Sequence, residues 1–205
     1  MKKLISQIKS LQKSSINKTV ENRLKEFSSF KNKSDEKWFS ELCFCILAAN
    51  SKQKTSATIE KQLSIKKINS LSHEQLANLI LKNKHRFHNN KAKYLKAATQ
   101  HSNIKTIIKK QSNKRDFLIK NIKGLGYKEA SHFLRNTGTQ NVAILDRHIL
   151  NLMTEHNMIE KPKTMTKNNY LLIENKFINL SKKLNMSPAK LDLFMWYMKT
   201  GEVLK

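Results

Sequence analysis

Apolar residues recur along most of the chain at spacings of three and four: Leu4, Ile8 and Leu11, then Val20, Leu24 and Phe27, then Trp38, Leu42 and Ile46. That spacing gathers them on one stripe of an α-helix, whereas the inward positions of a strand recur every second residue. The pattern predicts helices near residues 2–12, 17–31, 35–49, 52–63, 72–80, 91–100, 103–109, 113–121, 128–137, 146–156, 167–184 and 188–199. Start signals agree with it. Ser34 precedes the helix of Trp38, Ser72-His-Glu-Gln75 has the spacing of a capping box, and Ser187-Pro188 sets an N-cap before a proline at the first helical position. Alternating patterns bounded by turns are scarce, so the fold class is all-α. The stretches 64–70 and 102–115, rich in Lys, Asn and Ser, read as solvated connections, and there is no repeat at a solenoid period.

At 205 residues and 39% hydrophobic content the chain can bury one substantial core or two small lobes, and it is not a disordered tail. Its longest apolar run, Leu42 to Ala49, falls far short of the ~20 residues that a bilayer-spanning helix requires. Polar residues from Ser6 onward interrupt the signal-like start Met1-Lys-Lys-Leu-Ile. Cys43 and Cys45 sit in the apolar run at a spacing that neither helix nor strand would pair, which suits free thiols in a reducing compartment. A cytoplasmic protein without a membrane span is therefore expected. Forty Lys and Arg against 15 acids give a formal charge of +25, which favours a polyanionic partner. A genome biased toward Lys, Asn, Ile and Ser produces the same excess, so charge alone does not choose between nucleic acid, an anionic membrane and no polyanion at all.

Glycine placement does choose. The chain has four glycines, and Gly124, Gly126 and Gly138 fall in one segment, Lys123-Gly-Leu-Gly-Tyr-Lys-Glu-Ala-Ser-His-Phe-Leu-Arg-Asn-Thr-Gly138. Between the amphipathic segments 116–122 and 129–136, Lys123-Gly-Leu-Gly-Tyr127 has room only for a tight hairpin, so 113–137 reads as a helix-hairpin-helix. Gly124 and Gly126 would let successive backbone N–H groups face a phosphate at a helix start, with Leu125 as the inward plug. An ordinary αα-corner is the competing reading. Lys128 opens the second helix, where a cation is electrostatically misplaced; that field favours the neutral amine of a nucleophile, and a phosphate contact is the plainer role. Asp146 is an N-cap for 147–156, a catalytic carboxylate, or both, since a capping carboxylate is held rigidly.

The run Gly-Leu-Gly-Tyr-Lys-Glu-Ala-Ser-His-Phe-Leu-Arg-Asn, followed by Ala-Ile-Leu-Asp-Arg-His148, closely resembles the second, archaeal-type family of 8-oxoguanine DNA glycosylases and AP lyases in the endonuclease III superfamily. So do Glu41-Leu-Cys-Phe-Cys-Ile-Leu-Ala-Ala-Asn-Ser51, Arg86-Phe-His-Asn-Asn-Lys91-Ala-Lys-Tyr94 and the segment from Leu191 to Lys205, in the same order. The resemblance implies a single two-lobed helical unit over 1–205 with a DNA cleft between the lobes. Some superfamily members carry a four-cysteine iron–sulfur cluster, for which this chain has too few cysteines.

By the same resemblance Lys128 is the nucleophile that attacks C1′ of the damaged nucleotide, and Asp146 the aspartate that stabilises charge on the sugar. The target base must be flipped out of the duplex, and Asn50 matches the position that fills the gap; a helix C-cap is an equal reading of that residue. Gly124, Leu125, Gly126, Tyr127, Arg147 and His148 are the expected DNA contacts, with a core-capping role also open for His148. Phe87, Asp192, Trp196 and Lys205 are the expected contacts of the base, although periodicity alone favours a core tryptophan at 196. The implied chemistry requires no metal and no cofactor; a monovalent cation at the hairpin carbonyls is left open. The expected partner is duplex DNA containing 8-oxoguanine, bound by a monomer. A non-catalytic helix-hairpin-helix clamp and a glycosylase for another damaged base are the alternatives.

Overall fold

The computed structural model describes residues 1–205 and folds the apolar stripes as helices throughout. In chain order these are α1 (Lys2–Gln12), α2 (Ile16–Ser29), α3 (Asp35–Ala48), α4 (Gln53–Glu60), α5 (Ile65–Ser70), α6 (His73–Lys82), α7 (His88–Ala98), α8 (Ile104–Lys109), α9 (Lys114–Asn121), α10 (Tyr127–Asn136), α11 (Arg147–Glu155), α12 (Lys167–Lys183) and α13 (Pro188–Thr200). No strand forms, as the absence of alternation implied. No helix is long and apolar enough to cross a membrane.

Two compact units divide the chain. Residues 32–134 form a central unit, and residues 1–31 with 135–205 form a terminal unit. In the central unit α3 is apolar nearly all round, with every residue from Glu41 to Ala49 buried, and helices α4, α7 and α8 pack against it. The serine caps hold: Ser34 accepts from Lys37 N, and Ser72 with Gln75 forms a full capping box. In the terminal unit α13 is the core element. Leu191, Leu193, Phe194 and Met195 on it are 1% exposed or less, and α1, α2, α11 and α12 contact it. Its start is fixed by Ser187 Oγ, which accepts from Lys190 N, and by Pro188; its end by Gly201 in the left-handed region.

Of the two segments that also read as solvated connections, 64–70 departs from that reading, whereas 103–109 forms the helix its spacing predicts. Residues 65–70 form α5, capped by Ser64 and anchored by one fully buried side chain, Ile68. One buried residue shows no periodicity, which is why the sequence conceals this helix. Within 102–115, α8 buries Ile104 and Ile108, and its first N–H groups are satisfied by a distant group: Asp35 Oδ1 accepts from Lys105 N and Thr106 N. Cys43 and Cys45 are free and buried, and burial pushes the Cys43 thiol far above its ordinary range.

Candidate functional site

The hairpin joins α9 to α10 in the central unit. Leu118, Ile122 and Leu125 are buried beneath it, so Leu125 is the plug that the glycine spacing suggested. Gly124 has φ +90°, and a Cβ there would lie 2.6 Å from Cδ2 of Tyr94, so both conformation and space demand glycine. Gly126 departs from expectation. Its N–H donates to Glu129 Oε2 at 3.2 Å, while the N–H of Leu125 donates to Ile122 O at 3.3 Å. The nest is therefore not an open row of donors: a carboxylate of the protein already occupies part of it, in the geometry a capping side chain adopts three residues into a helix. Tyr127 is half-buried beneath the Arg115 guanidinium, and its hydroxyl donates to Asp116 Oδ1.

Lys128, in the first turn of α10, keeps about a quarter of its side chain exposed, and its Nζ lies 3.4 Å from Glu129 Oε1. Glu129 thus holds the hairpin with one oxygen and faces the lysine with the other. A second lysine stands in the same field. Lys91 on α7 is 5% exposed and donates to Ile46 O at 2.6 Å. Burial lowers its pKa to about 8, Glu129 opposes that shift, and the positive Lys128 adds to it.

Beyond the C-terminus of α3, Asn50 is exposed with φ +59°, a left-handed conformation that asparagine tolerates better than most residues. The carbonyls of α3 just before it are taken by side chains from α7 and the segment ahead of it: Ile46 O by Lys91, and Leu47 O by Nε2 of the buried His85 at 2.9 Å. Nδ1 of His85 accepts from Phe87 N at 3.2 Å, which fixes the imidazole as the neutral Nε2–H tautomer, and burial lowers its pKa as that state requires. Phe87 is 38% exposed, with the Arg86 guanidinium 4.6 Å from its ring centroid.

In the terminal unit Asp146 is the N-cap of α11. Its Oδ1 accepts from Ile149 N at 2.9 Å, which leaves the other carboxylate oxygen outside the cap. Arg147 is exposed; His148 is half-buried, edge-on to Trp196 with ring centroids 5.0 Å apart. Trp196 is half-buried rather than a core residue, and its enclosed Nε1 has no acceptor. Asp192, one turn earlier, is 4% exposed and accepts from Arg135 Nη1, so contact with a base would require sharing a carboxylate already engaged with a guanidinium. Arg135 also lies over the Phe27 ring. Lys205 is half-buried at the end of the chain.

Three residues of this arrangement, Glu129, Lys91 and His85, were not singled out from the sequence. Glu129 had a signal, an acid three residues after Gly126. Lys91 had another: it continues the apolar stripe Lys91-Leu95-Ala98, where a charge has no place unless it is paired.

Comparison with known proteins brings these observations together. Residues 20–186 match the model of the Ogg-HhH family, 8-oxoguanine DNA glycosylase. The chain is 45% identical to an 8-oxoguanine DNA glycosylase/AP lyase of Methanocaldococcus jannaschii, covering 98% of this chain and 99% of that one, and 37% identical to another of Korarchaeum cryptofilum, over 98% of each. Among solved structures it is similar to the M. jannaschii glycosylase/lyase in complex with a 15mer DNA containing 8-oxoguanine, with a TM-score of 0.94 at 45% identity, covering 98% of this chain and 99% of that one. The 8-oxoguanine DNA glycosylase of Thermotoga maritima matches with a TM-score of 0.92 at 34% identity, covering 100% and 99%. A non-covalent endonuclease III–DNA complex, at 14% identity and a TM-score of 0.61, shares the fold.

Proposed function

Because the chain belongs to the archaeal and bacterial type of 8-oxoguanine DNA glycosylase/AP lyases, in the helix-hairpin-helix superfamily of endonuclease III, we propose that Lys128 and Asp146 carry its chemistry. The enzyme is bifunctional: it removes 8-oxoguanine from duplex DNA and cleaves the strand at the abasic site. The observation that supports Lys128 is its place, an amine reachable from solvent in the first turn of α10, held against Glu129. Its Nζ attacks C1′ with its lone pair, the N-glycosidic bond breaks, and its electron pair leaves with the base. Opening of the sugar ring yields a Schiff base between Lys128 and C1′. Loss of a proton from C2′ then expels the 3′ phosphate by β-elimination. Asp146, whose second oxygen is not committed to the α11 cap, stabilises the cationic sugar.

The remaining residues serve extrusion and binding. Asn50 fills the gap left in the duplex. Phe87 of the central unit and Trp196 and Lys205 of the terminal unit are the candidate contacts of the flipped base, and Asp192, engaged with Arg135, is a further one. The hairpin turn from Gly124 to Tyr127, with Arg147 and His148, meets backbone phosphates, the N–H groups of Leu125 and Gly126 being engaged within the protein and not among its open donors. The enzyme acts as a monomer in the cytoplasm, where its buried thiols stay reduced.

Incubation with duplexes bearing 8-oxoguanine, another oxidised base or no lesion tests this reading: free base and a cut strand are expected from the 8-oxoguanine duplex. Binding without either product on any of them would leave only a DNA clamp. Binding itself is expected to weaken about a hundredfold or more between about 50 and 200 mM salt, because lysine-rich contacts to phosphate release counterions. An affinity indifferent to salt would show that phosphate contacts do not carry it.

A further inference from the structure

The end of α3 is closed in an unusual way. A helix leaves its last carbonyls without intrahelical partners, and the common remedy is a glycine in the left-handed conformation with local backbone bonds. Here the left-handed residue is Asn50, and two of the carbonyls are taken by side chains 45 and 38 residues away: Lys91 Nζ on Ile46 O and His85 Nε2 on Leu47 O. Both donors are buried, at 5% and 1% exposure. Burying an ammonium to satisfy one carbonyl is costly, and Lys91 shows that cost in its lowered pKa. Water would satisfy the same carbonyl at an exposed helix end. What water does not provide is a fixed position for the turn that follows, Ala49-Asn50-Ser51, whose single local bond runs from Ser51 N to Ala48 O.

We propose that His85 and Lys91 are positioning residues for the Asn50 turn, setting the rate of nucleotide extrusion and not that of the bond-breaking steps. The inference rests on the reading of Asn50 as the gap-filling residue. The two donors grip consecutive carbonyls, so the last turn of α3 can neither fray nor rotate, and Asn50 meets the duplex already in its working conformation. His85 does more: its other nitrogen holds the backbone N–H of Phe87, so one neutral ring ties the Asn50 turn to the exposed aromatic at the start of α7. Lys91 also lies in the field of Lys128 and Glu129, and an effect through the nucleophile is the role from which positioning must be separated.

Two substrates separate them. Excision of a paired 8-oxoguanine needs costly extrusion, whereas cleavage at a preformed abasic site uses the same Lys128 with no base to unpair. In single-turnover assays of the full chain, Lys91→Met is expected to slow excision about tenfold or more and abasic-site cleavage by less than about threefold. His85→Ala is expected to show the same split, and His85→Gln, which keeps an N–H donor, to recover part of the loss. The double variant Asn50→Ala/Lys91→Met is expected to excise no more slowly than the slower single variant, because both act on one step. Equal losses on the two substrates, or losses that multiply in the double variant, would overturn the proposal. A slow Asn50→Ala beside wild-type excision by Lys91→Met would remove the clamp alone, whereas wild-type excision by Asn50→Ala would remove the gap-filling reading beneath it. If Lys91→Met fails to fold, the His85→Ala and His85→Gln pair decides by the same split.

Discussion

Lys128→Gln is expected to abolish base release and strand cutting together, by at least about a thousandfold in single-turnover rate, because one amine performs both steps. Glutamine retains much of the length and hydrogen-bonding capacity of lysine but has no nucleophilic lone pair on nitrogen. The fold has little to lose. Lys128 lies in the first turn of α10 with a quarter of its side chain in water, and its contact with Glu129 is a partly exposed ion pair of the kind that contributes little to stability. Glu129 keeps its bond from Gly126 N in the variant, so the hairpin retains its cap. DNA affinity should therefore stay close to wild type. Base release at the wild-type rate with strand cutting lost would assign the displacement of the base to water and leave Lys128 only the lyase step.

Asp146→Asn is expected to keep fold and DNA binding while losing about a hundredfold to a thousandfold in turnover. The substitution separates the two roles of the residue. As N-cap of α11, Asp146 needs an oxygen that accepts from Ile149 N, and asparagine supplies one equally well, so the melting temperature should barely move. As the group that stabilises positive charge on the sugar it needs a carboxylate, which asparagine lacks. Asp146→Ala should show the same catalytic loss plus about 1 kcal/mol of lost helix stability, because the cap is removed as well. Reduced binding by Asp146→Asn would mean that the residue mainly supports the fold.

Local pattern carried much of this architecture. The apolar stripes of α2, α3 and α13, the serine caps of α3, α6 and α13 and the paired glycines before Tyr127 are short-range signals, each readable within about one helical turn to four. Less legible were elements stabilised from elsewhere. Helix α5, whose one buried side chain is Ile68, is tied at its end by Lys96 Nζ to the carbonyls of Asn69 and Leu71, and the Asp35 carboxylate that caps the start of α8 lies some seventy residues upstream. Within the site, glycine spacing shows the tight turn at Gly124 but not that Glu129 occupies the Gly126 N–H, since a side chain competing for a backbone donor leaves no periodic trace. The pairings of His148 with Trp196 and of Arg135 with Asp192 are likewise tertiary, and no local pattern announces them. Lys91 reads as a flaw in the stripe of α7 until the open carbonyl of Ile46 is placed beside it.

Borohydride reduction during turnover tests the central claim most directly. The protein is mixed with a duplex containing a single 8-oxoguanine, reduced, digested, and the modified peptide is identified by mass. Reduction of the Schiff base is expected to fix the DNA covalently to Lys128, with no adduct from Lys128→Gln and none on undamaged duplex. An adduct carried by another lysine, Lys91 included, or products released without any adduct, would contradict the account.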